Sequence, residues 1–298
     1  MTVEPRVVRT RAELAAALAE PVGRRGVVMT MGALHEGHLS LVRRARELAD
    51  QVVVTIFVNP LQFGPGEDLD RYPRDLAGDV ALLAEAGADL VFAPGVTEMF
   101  PGDEPSVTVD AGPIGDRLEG AHRPGHFDGV LTIVLKLCHL TRPDIALFGQ
   151  KDAQQLMAIR RMVADLDVGV QVVGCPTVRD TDGVALSSRN AYLDREQRGT
   201  ARALYSSLLA AHRAADDGGS AERVREAATA VLGATPGLEV DYVALVSPDT
   251  AEDIPADHCG PALLAVAARV GSTRLIDNEM MDLHGPRDGR TNGGEEER

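Results

Sequence analysis

The chain has 298 residues, 44% of them hydrophobic and 25% charged, and a formal net charge of −15. That balance is ordinary for a globular protein, with two domains the better expectation, and the acidic excess argues against a nucleic-acid backbone or an anionic membrane as the main partner. The longest apolar runs, such as 52–58, are too short to span a bilayer, and MTVEPRVVRT lacks the apolar core and cleavage site of a secretion signal, so the chain is expected in the cytoplasm.

In chain order, short β-branched runs at Val27–Met31, Val52–Val58, Asp89–Phe92, Ile145–Phe148 and Val168–Val173 alternate with helical periodicity. Leu41, Ala45 and Leu48 mark one amphipathic helix, and Val80, Leu83 and Gly87 finish another. Val130, Ile133, Val134, Leu137 and Leu140 share the face of a third that Pro143 stops, and a fourth runs from about Asp152 to Asp165. This rhythm predicts an α/β fold, a Rossmann-like doubly wound parallel sheet over residues 1–175, with ligands at the carboxyl ends of its strands. Beyond about 176 the rhythm stops. Two Ala-rich helices near 195–215 and 220–232 and two strands, Leu238–Val246 and Leu263–Val270, predict a smaller α+β domain over 176–284, open to antiparallel pairing. GPRDGRTNGGEEER, 285–298, reads as a disordered tail.

Cys138, Cys175 and Cys259 show neither metal-ligand spacing nor a disulfide framework. Only two of the 30 basic residues are lysines, Lys136 and Lys151, which draws attention to Lys151.

Five segments carry candidate chemistry. Met31-Gly32-Ala33-Leu34-His35-Glu36-Gly37-His38 joins the first of those strands to a helix, where backbone N–H groups and the helix dipole favour phosphate and imidazoles can stabilise charge on a leaving pyrophosphate. Capping or surface roles remain open for the two histidines, whereas zinc is disfavoured because the metalloprotease helix spaces its histidines by four with no Gly within. Asn59 and Gln62, at the end of the second strand, offer amides to a small polar substrate, or fill a Pro-initiated turn. The following GEDLDRYPRD reads as solvated, with no site role for Asp68, Asp70 or Arg71. The Gly-rich loop 119–129 brings Arg123, which could meet an anion or pair with Glu119. Gly149, Gln150, Lys151 and Asp152 combine an open backbone with a point charge for phosphate, Asp152 can cap the next helix, and Gln155 follows one turn later. Ser187, Ser188 and Arg189 supply hydroxyls and a cation for phosphate on a closable loop, or merely signal a helix entry.

In sequence order TMGALHEGH (30–38), FVNPLQFG (57–64), RPGHFDGV (123–130), FGQKDAQQ (148–155) and LSSRN (186–190) resemble the pantothenate synthetases, over roughly residues 25–280. The first motif alone would indicate only the HxGH nucleotidyltransferase superfamily. The resemblance implies a two-step ATP-dependent ligation: pantoate is activated as an acyl adenylate with release of pyrophosphate, and β-alanine then displaces AMP. By position, it implies an ATP site of Met31 to His38, Gly149 to Asp152, Val178 and Leu186 to Arg189. It also implies His35, His38 and Lys151 as catalytic groups, with His38 the family's usual proton donor. Gln62 and Gln155 would hold pantoate, Gln62 lying near β-alanine as well, with Asn59 and Arg123 as weaker carry-overs. Mg2+ accompanying ATP, with no protein ligands named, and a homodimer complete the implication. Met29 stands where the family commonly has proline, removing no functional group. The competing readings are an adenylyl transferase for another acceptor, which would not need the glutamine pair, and an idle nucleotide-binding module, which would be expected to have lost His38, Lys151 or Arg189.

Overall fold

In the computed structural model, which describes residues 4–102 and 105–284, the chain divides into two compact units, residues 1–192 and 193–298. The first is a six-stranded, wholly parallel sheet of β1 (Arg6–Val8), β2 (Arg25–Thr30), β3 (Gln51–Ile56), β4 (Leu90–Phe92), β5 (Ile145–Gly149) and β6 (Gln171–Cys175). Their spatial order is β1-β4-β3-β2-β5-β6. The helices are α1 (Arg11–Ala17), α2 (Glu36–Leu48), α3 (Leu76–Ala86), three single turns α4 (Val96–Met99), α5 (Gly112–Gly115) and α6 (Glu119–His122), then α7 (His126–Thr141) and α8 (Ala153–Asp165).

The central strands read as unbroken apolar runs because helices cover both faces of the sheet. Val28, Val52, Val54, Ile145 and Leu147 are completely buried against Val42 and Ala45 of α2 and Leu83 of α3. Right-handed crossovers put α2 and α3 on one face as the chain steps from β2 to β4, and α8 on the other as it steps back from β5 to β6. Local chemistry sets the helix ends. Thr10 and Glu13 form a reciprocal capping box for α1, Asp75 caps α3, and Gly87, at φ 90°, ends it in the left-handed region.

The second unit is two-layered. Its helices α9 (Arg195–Asp216) and α10 (Ala221–Gly233) pack on each other and on an antiparallel sheet of β7 (Leu238–Val246), β8 (Gly260–Val270) and β9 (Thr273–Leu283), in that order. β8 is central and almost entirely apolar, whereas β9 mixes Asp277 and Asn278 into its buried residues.

Three expectations change. β1 and β9 extend the sheets beyond the strands read from periodicity, and the last parallel strand begins at Gln171, after a tight turn in which Asp167 takes φ 49°. Residues 176–192 belong with the first unit, not with the second as the division near 176 expected, because they fold back as a hairpin bridged at Arg179 and Ala185 and tied by Arg189 to Asp68. The tail expected at 285–298 lies outside the described residues. Among the described residues no helix is long and apolar enough to cross a membrane. Cys138 and Cys175 are buried thiols and Cys259 an exposed one.

Candidate active site

The strand order reverses between β2 and β5, and ligands of such sheets enter the crevice outside the carboxyl ends of the strands there. β2 delivers residues 31–38, β5 delivers 149–152 and β3 delivers 57–63 to that edge.

At the end of β2, Gly32 (φ 84°) and Ala33 (φ 50°) turn the chain in the left-handed region. A side chain at Gly32 would put its Cβ 2.9 Å from a carboxylate oxygen of Asp79, so the turn needs glycine. His35 is the N-cap of α2: its Nδ1 accepts from the Gly37 N–H at 3.2 Å, and His38 Nδ1 accepts from the His35 N–H at 3.4 Å. With both Nδ1 atoms accepting, each neutral ring carries its proton on Nε2, which leaves two N–H donors for a ligand. The rings lie 4.1 Å apart. Burial, reinforced by Lys151, holds His35 below the ordinary histidine range. Burial and the neighbouring His35 take His38 down to about 3, although Asp152 pulls the other way. Both rings are therefore neutral donors near pH 7. Gly37 makes room for them, since a Cβ there would meet His35 Cε1 at 2.9 Å. Capping, the bland reading of His35, is realised, and it is also what aims the ring.

At the end of β5, Lys151 Nζ lies 3.4 Å from the Asp152 carboxylate. Asp152 occupies the N-cap position of α8 but makes no capping hydrogen bond, so the expectation that it caps that helix is corrected. Desolvation pushes its carboxyl up, and the charges of Lys151 and then Arg189 outweigh that and leave it lowered. Gly149 has ordinary dihedrals and nothing within 4 Å of where its Cβ would stand. The fold does not demand glycine there, whereas a ligand against the strand end would. The hairpin after β6 pairs Leu186 N–H with Val178 C=O at 2.9 Å and brings Leu186 to 3.8 Å from where a Gly37 Cβ would stand. Leu186 is thereby carried to the His35–His38 turn, and Arg189 comes within electrostatic reach of Asp152.

Arg189 donates to Asp68 at 3.1 Å, and Asp68 is largely buried, which corrects the reading of Asp68 as a solvated surface charge. Tyr72, itself buried, hydrogen-bonds Ser188. The loop after β3 thus ties down the LSSRN segment. Burial works against the Arg189 charge, but Asp68 more than compensates and its pKa is raised.

Behind β3, Asn59 is buried and fully engaged. Its amide N–H2 donates to Gln62 Oε1 (3.1 Å) and to Gly129 C=O (3.0 Å), and its oxygen accepts from the Leu61 N–H. Gln62 Nε2 donates to Met31 Sδ at 3.1 Å. A Cβ at Gly129 would come within 2.2 Å of the Leu61 oxygen, so this glycine of α7 is the seat of the Asn59–Gln62 turn. Arg123 pairs through two bonds, 2.8 and 2.6 Å, with Glu67, and not with Glu119 as local spacing allowed. It also donates to Gln62 C=O at 3.2 Å and meets His126 Nε2 at 2.9 Å. His126 Nδ1 lies 2.8 Å from the same carbonyl, so it carries the ring proton and Nε2 accepts from Arg123. Burial and the Arg123 charge hold His126 down to about 4.

The expected residues therefore fall into two groups. His35, His38, Lys151, Asp152 and Arg189 form one electrically coupled set. Asn59, Gln62 and Arg123 form a second, joined to the first through Met31. Gln155, in the first turn of α8, is half-buried, and its amide makes no hydrogen bond among the described residues. Its neighbour Gln154 is buried instead, accepting from the Glu119 N–H and donating to the Ile114 and Arg117 carbonyls. The Glu36 side chain pairs with Arg43 along α2 and is half-exposed, so it offers a ligand only its backbone. Sequence reasoning missed Glu67, Asp68, Tyr72, Asp79 and His126. Glu67, Asp68 and Tyr72 fall in the acidic GEDLDRY run and His126 in the RPGHFDGV motif, whereas Asp79 lies in none of the motifs, and the partners of these residues lie far along the chain.

A family model described as Pantoate-beta-alanine ligase matches residues 6–280. The chain is 55% identical to the pantothenate synthetase of Streptomyces coelicolor, over 92% of this chain and 95% of that one. It is 61% identical to pantothenate synthetase 4 of Frankia alni over 87% and 83%. Among solved structures, pantothenate synthetase from Thermus thermophilus superposes with a TM-score of 0.88 at 53% identity, covering 92% of this chain and 98% of that one. Pantoate-beta-alanine ligase from Francisella tularensis, complexed with beta-gamma ATP and beta-alanine, gives 0.76 at 32% identity over 93% and 97%.

Proposed function

The chain belongs to the pantoate–β-alanine ligase family, enzymes that join pantoate to β-alanine, and on that premise we propose that it works through a pantoyl adenylate. A pantoate carboxylate oxygen attacks the α-phosphorus of ATP and the bond to pyrophosphate breaks. The β-alanine amine then attacks the acyl carbon, the bond to AMP breaks, and the amine loses a proton. The observation that carries this reading is the convergence of His35, His38, Lys151, Asp152 and Arg189 at the strand reversal, beside a pre-set Gln62 amide.

No covalent nucleophile is required, so rate comes from positioning and charge stabilisation. The two neutral imidazoles donate Nε2–H bonds to phosphate oxygens. Lys151 and Arg189 neutralise charge on the departing pyrophosphate, Arg189 exchanging Asp68 for phosphate. Since His38 is neutral in the free protein, its part is hydrogen-bond donation, with the proton staying on Nε2. The backbone of 31–38 and 149–152, with Val178 and Leu186–Ser188, encloses the nucleotide, while Gln62 and Gln155 hold pantoate. Asn59 and Arg123 act by holding Gln62.

The residues fit Mg2+ carried in on the triphosphate: the Asp152 carboxylate stands beside Lys151, and such ions commonly use one or two carboxylates plus phosphate oxygens. Asp152 would hold the ion, which would offset phosphate charge. The resemblance supports a homodimer working in the cytoplasm.

The test is AMP release by purified protein given ATP, Mg2+ and pantoate, with and without β-alanine. Steady release requiring both acids is expected, and release indifferent to either would defeat the reading.

A further inference from the structure

We propose that Asp79, on α3 and outside all five motifs, is a positioning residue that aims the two histidines of the HEGH segment. Its kinetic consequence rests on the ligase reading above, whereas its structural consequence stands on geometry alone.

The Asp79 side chain is 4% exposed. Its Oδ1 accepts the Leu34 N–H at 2.8 Å and its Oδ2 the Ala33 N–H at 3.1 Å, so one carboxylate holds two consecutive amides across 45 and 46 residues of sequence. A buried carboxylate is costly unless hydrogen bonds compensate it, and here they come from the turn between β2 and α2. Burial pushes this carboxyl up, the nearby Asp75 adds to that, and the two N–H bonds oppose them. The turn is one the backbone would not choose unaided. Ala33 sits at φ 50° and Gly32 at φ 84°, and Gly32 lacks a side chain where Oδ2 stands. The next residue is His35, whose N–H is the donor to His38 Nδ1. Asp79 therefore sets where the helix begins, and through that N–H it sets the tautomer and direction of the His38 ring.

Asp79→Asn keeps the shape but retains one acceptor and turns an N–H2 against the other backbone N–H. With the parent as control, kcat should fall about tenfold to hundredfold, the scale of a 1 Å misplacement, while KM for pantoate and for β-alanine stays within about twofold. The second readout is the imidazole nitrogens of His35 and His38 by 15N-resolved NMR. The parent should show neutral rings protonated at Nε2, and the variant a tautomer average for His38. Should Asp79→Asn fail to fold, Gly32→Ala displaces the same carboxylate and should give the same two changes. A folded variant with parental kcat and parental imidazole signals overturns the proposal. Changed imidazole signals in a chain whose parent releases no pantoate-dependent AMP would uphold the positioning role and defeat the ligase reading instead.

Discussion

The turns after β2 and after β3 are both strings of polar side chains at the carboxyl edge of one sheet, yet their hydrogen bonds are distributed in opposite ways. After β2, the inner nitrogens of His35 and His38 are tied to backbone N–H groups, and both outer N–H donors are left for a ligand. After β3, the Asn59 amide, the Arg123 guanidinium and both His126 nitrogens are consumed by protein partners, and the outcome is a fixed Gln62. A polar motif at a strand end is therefore a weak guide to contact with substrate. The bonding of its inner atoms decides whether it meets the ligand or holds the residue that does.

The contrast is broken most severely from the nucleotide side. Lys151→Ala and His38→Ala should each remove at least about 2.7 kcal/mol of transition-state stabilisation, a hundredfold or more in kcat/KM, because each acts on charge that develops during reaction. Pre-steady-state adenylation would detect it, and near-normal rates for either variant would contradict its role. From the other side, Arg123→Leu leaves Glu67 without its guanidinium partner and removes one of the two donors to the Gln62 carbonyl, His126 being the other. Its effect should fall on KM for pantoate, by about tenfold, and on stability by ~1–3 kcal/mol in urea titration, with kcat little changed. A fall confined to kcat would place Arg123 with the phosphate-binding groups.

How far this contrast was legible beforehand depends on separation along the chain. The apolar runs of β2 to β5 and the faces of α2 and α7 could be read because burial imposes a local period. β1 escaped because it lies at the sheet edge with Val8 its one buried residue, and β9 because Asp277 and Asn278 interrupt its apolar alternation. His35, His38, Lys151 and Arg189 could be named from motifs. What stayed hidden is what each pairs with: Asp68 lies 121 residues from Arg189, and Glu67 56 from Arg123. No local pattern reports such partners, so Asp68 read as a surface charge. Asp79 was invisible for the same reason, as it bonds only to backbone 45 and 46 residues away.

Acid sharpens the comparison with a smaller effect. His126 and His38 have folded pKa values held to about 4 and about 3, below the ordinary 6.5 of an unfolded chain. The unfolded state then binds more protons below pH 6.5, so this stability is fully present above that pH and is lost as pH falls toward the folded values. Each ring should contribute a slope of ~1.4 kcal/mol per pH unit between about 6 and 5, before most carboxylates titrate. His126→Gln should halve the slope due to the pair in urea titrations at stepped pH. An unchanged slope would mean His126 is already charged in the folded protein. Smallest of all should be Glu36→Gln, which removes an exposed pairing with Arg43. Stability within about 0.5 kcal/mol and turnover within about twofold are expected, and a larger loss would give the side chain a place in the site.

The β2–β5 pairing has a consequence for how the molecule comes to be folded. Arg25 and Asp144 are bonded across 119 residues, with β3 and β4 synthesised in between, so the crevice closes only by bringing together distant stretches of chain. Chain-closure entropy grows with that separation and slows such pairings relative to local ones. On refolding from denaturant, helical signal should therefore return ahead of nucleotide binding, and a ribosome-bound chain cannot make this pairing until β5 has emerged.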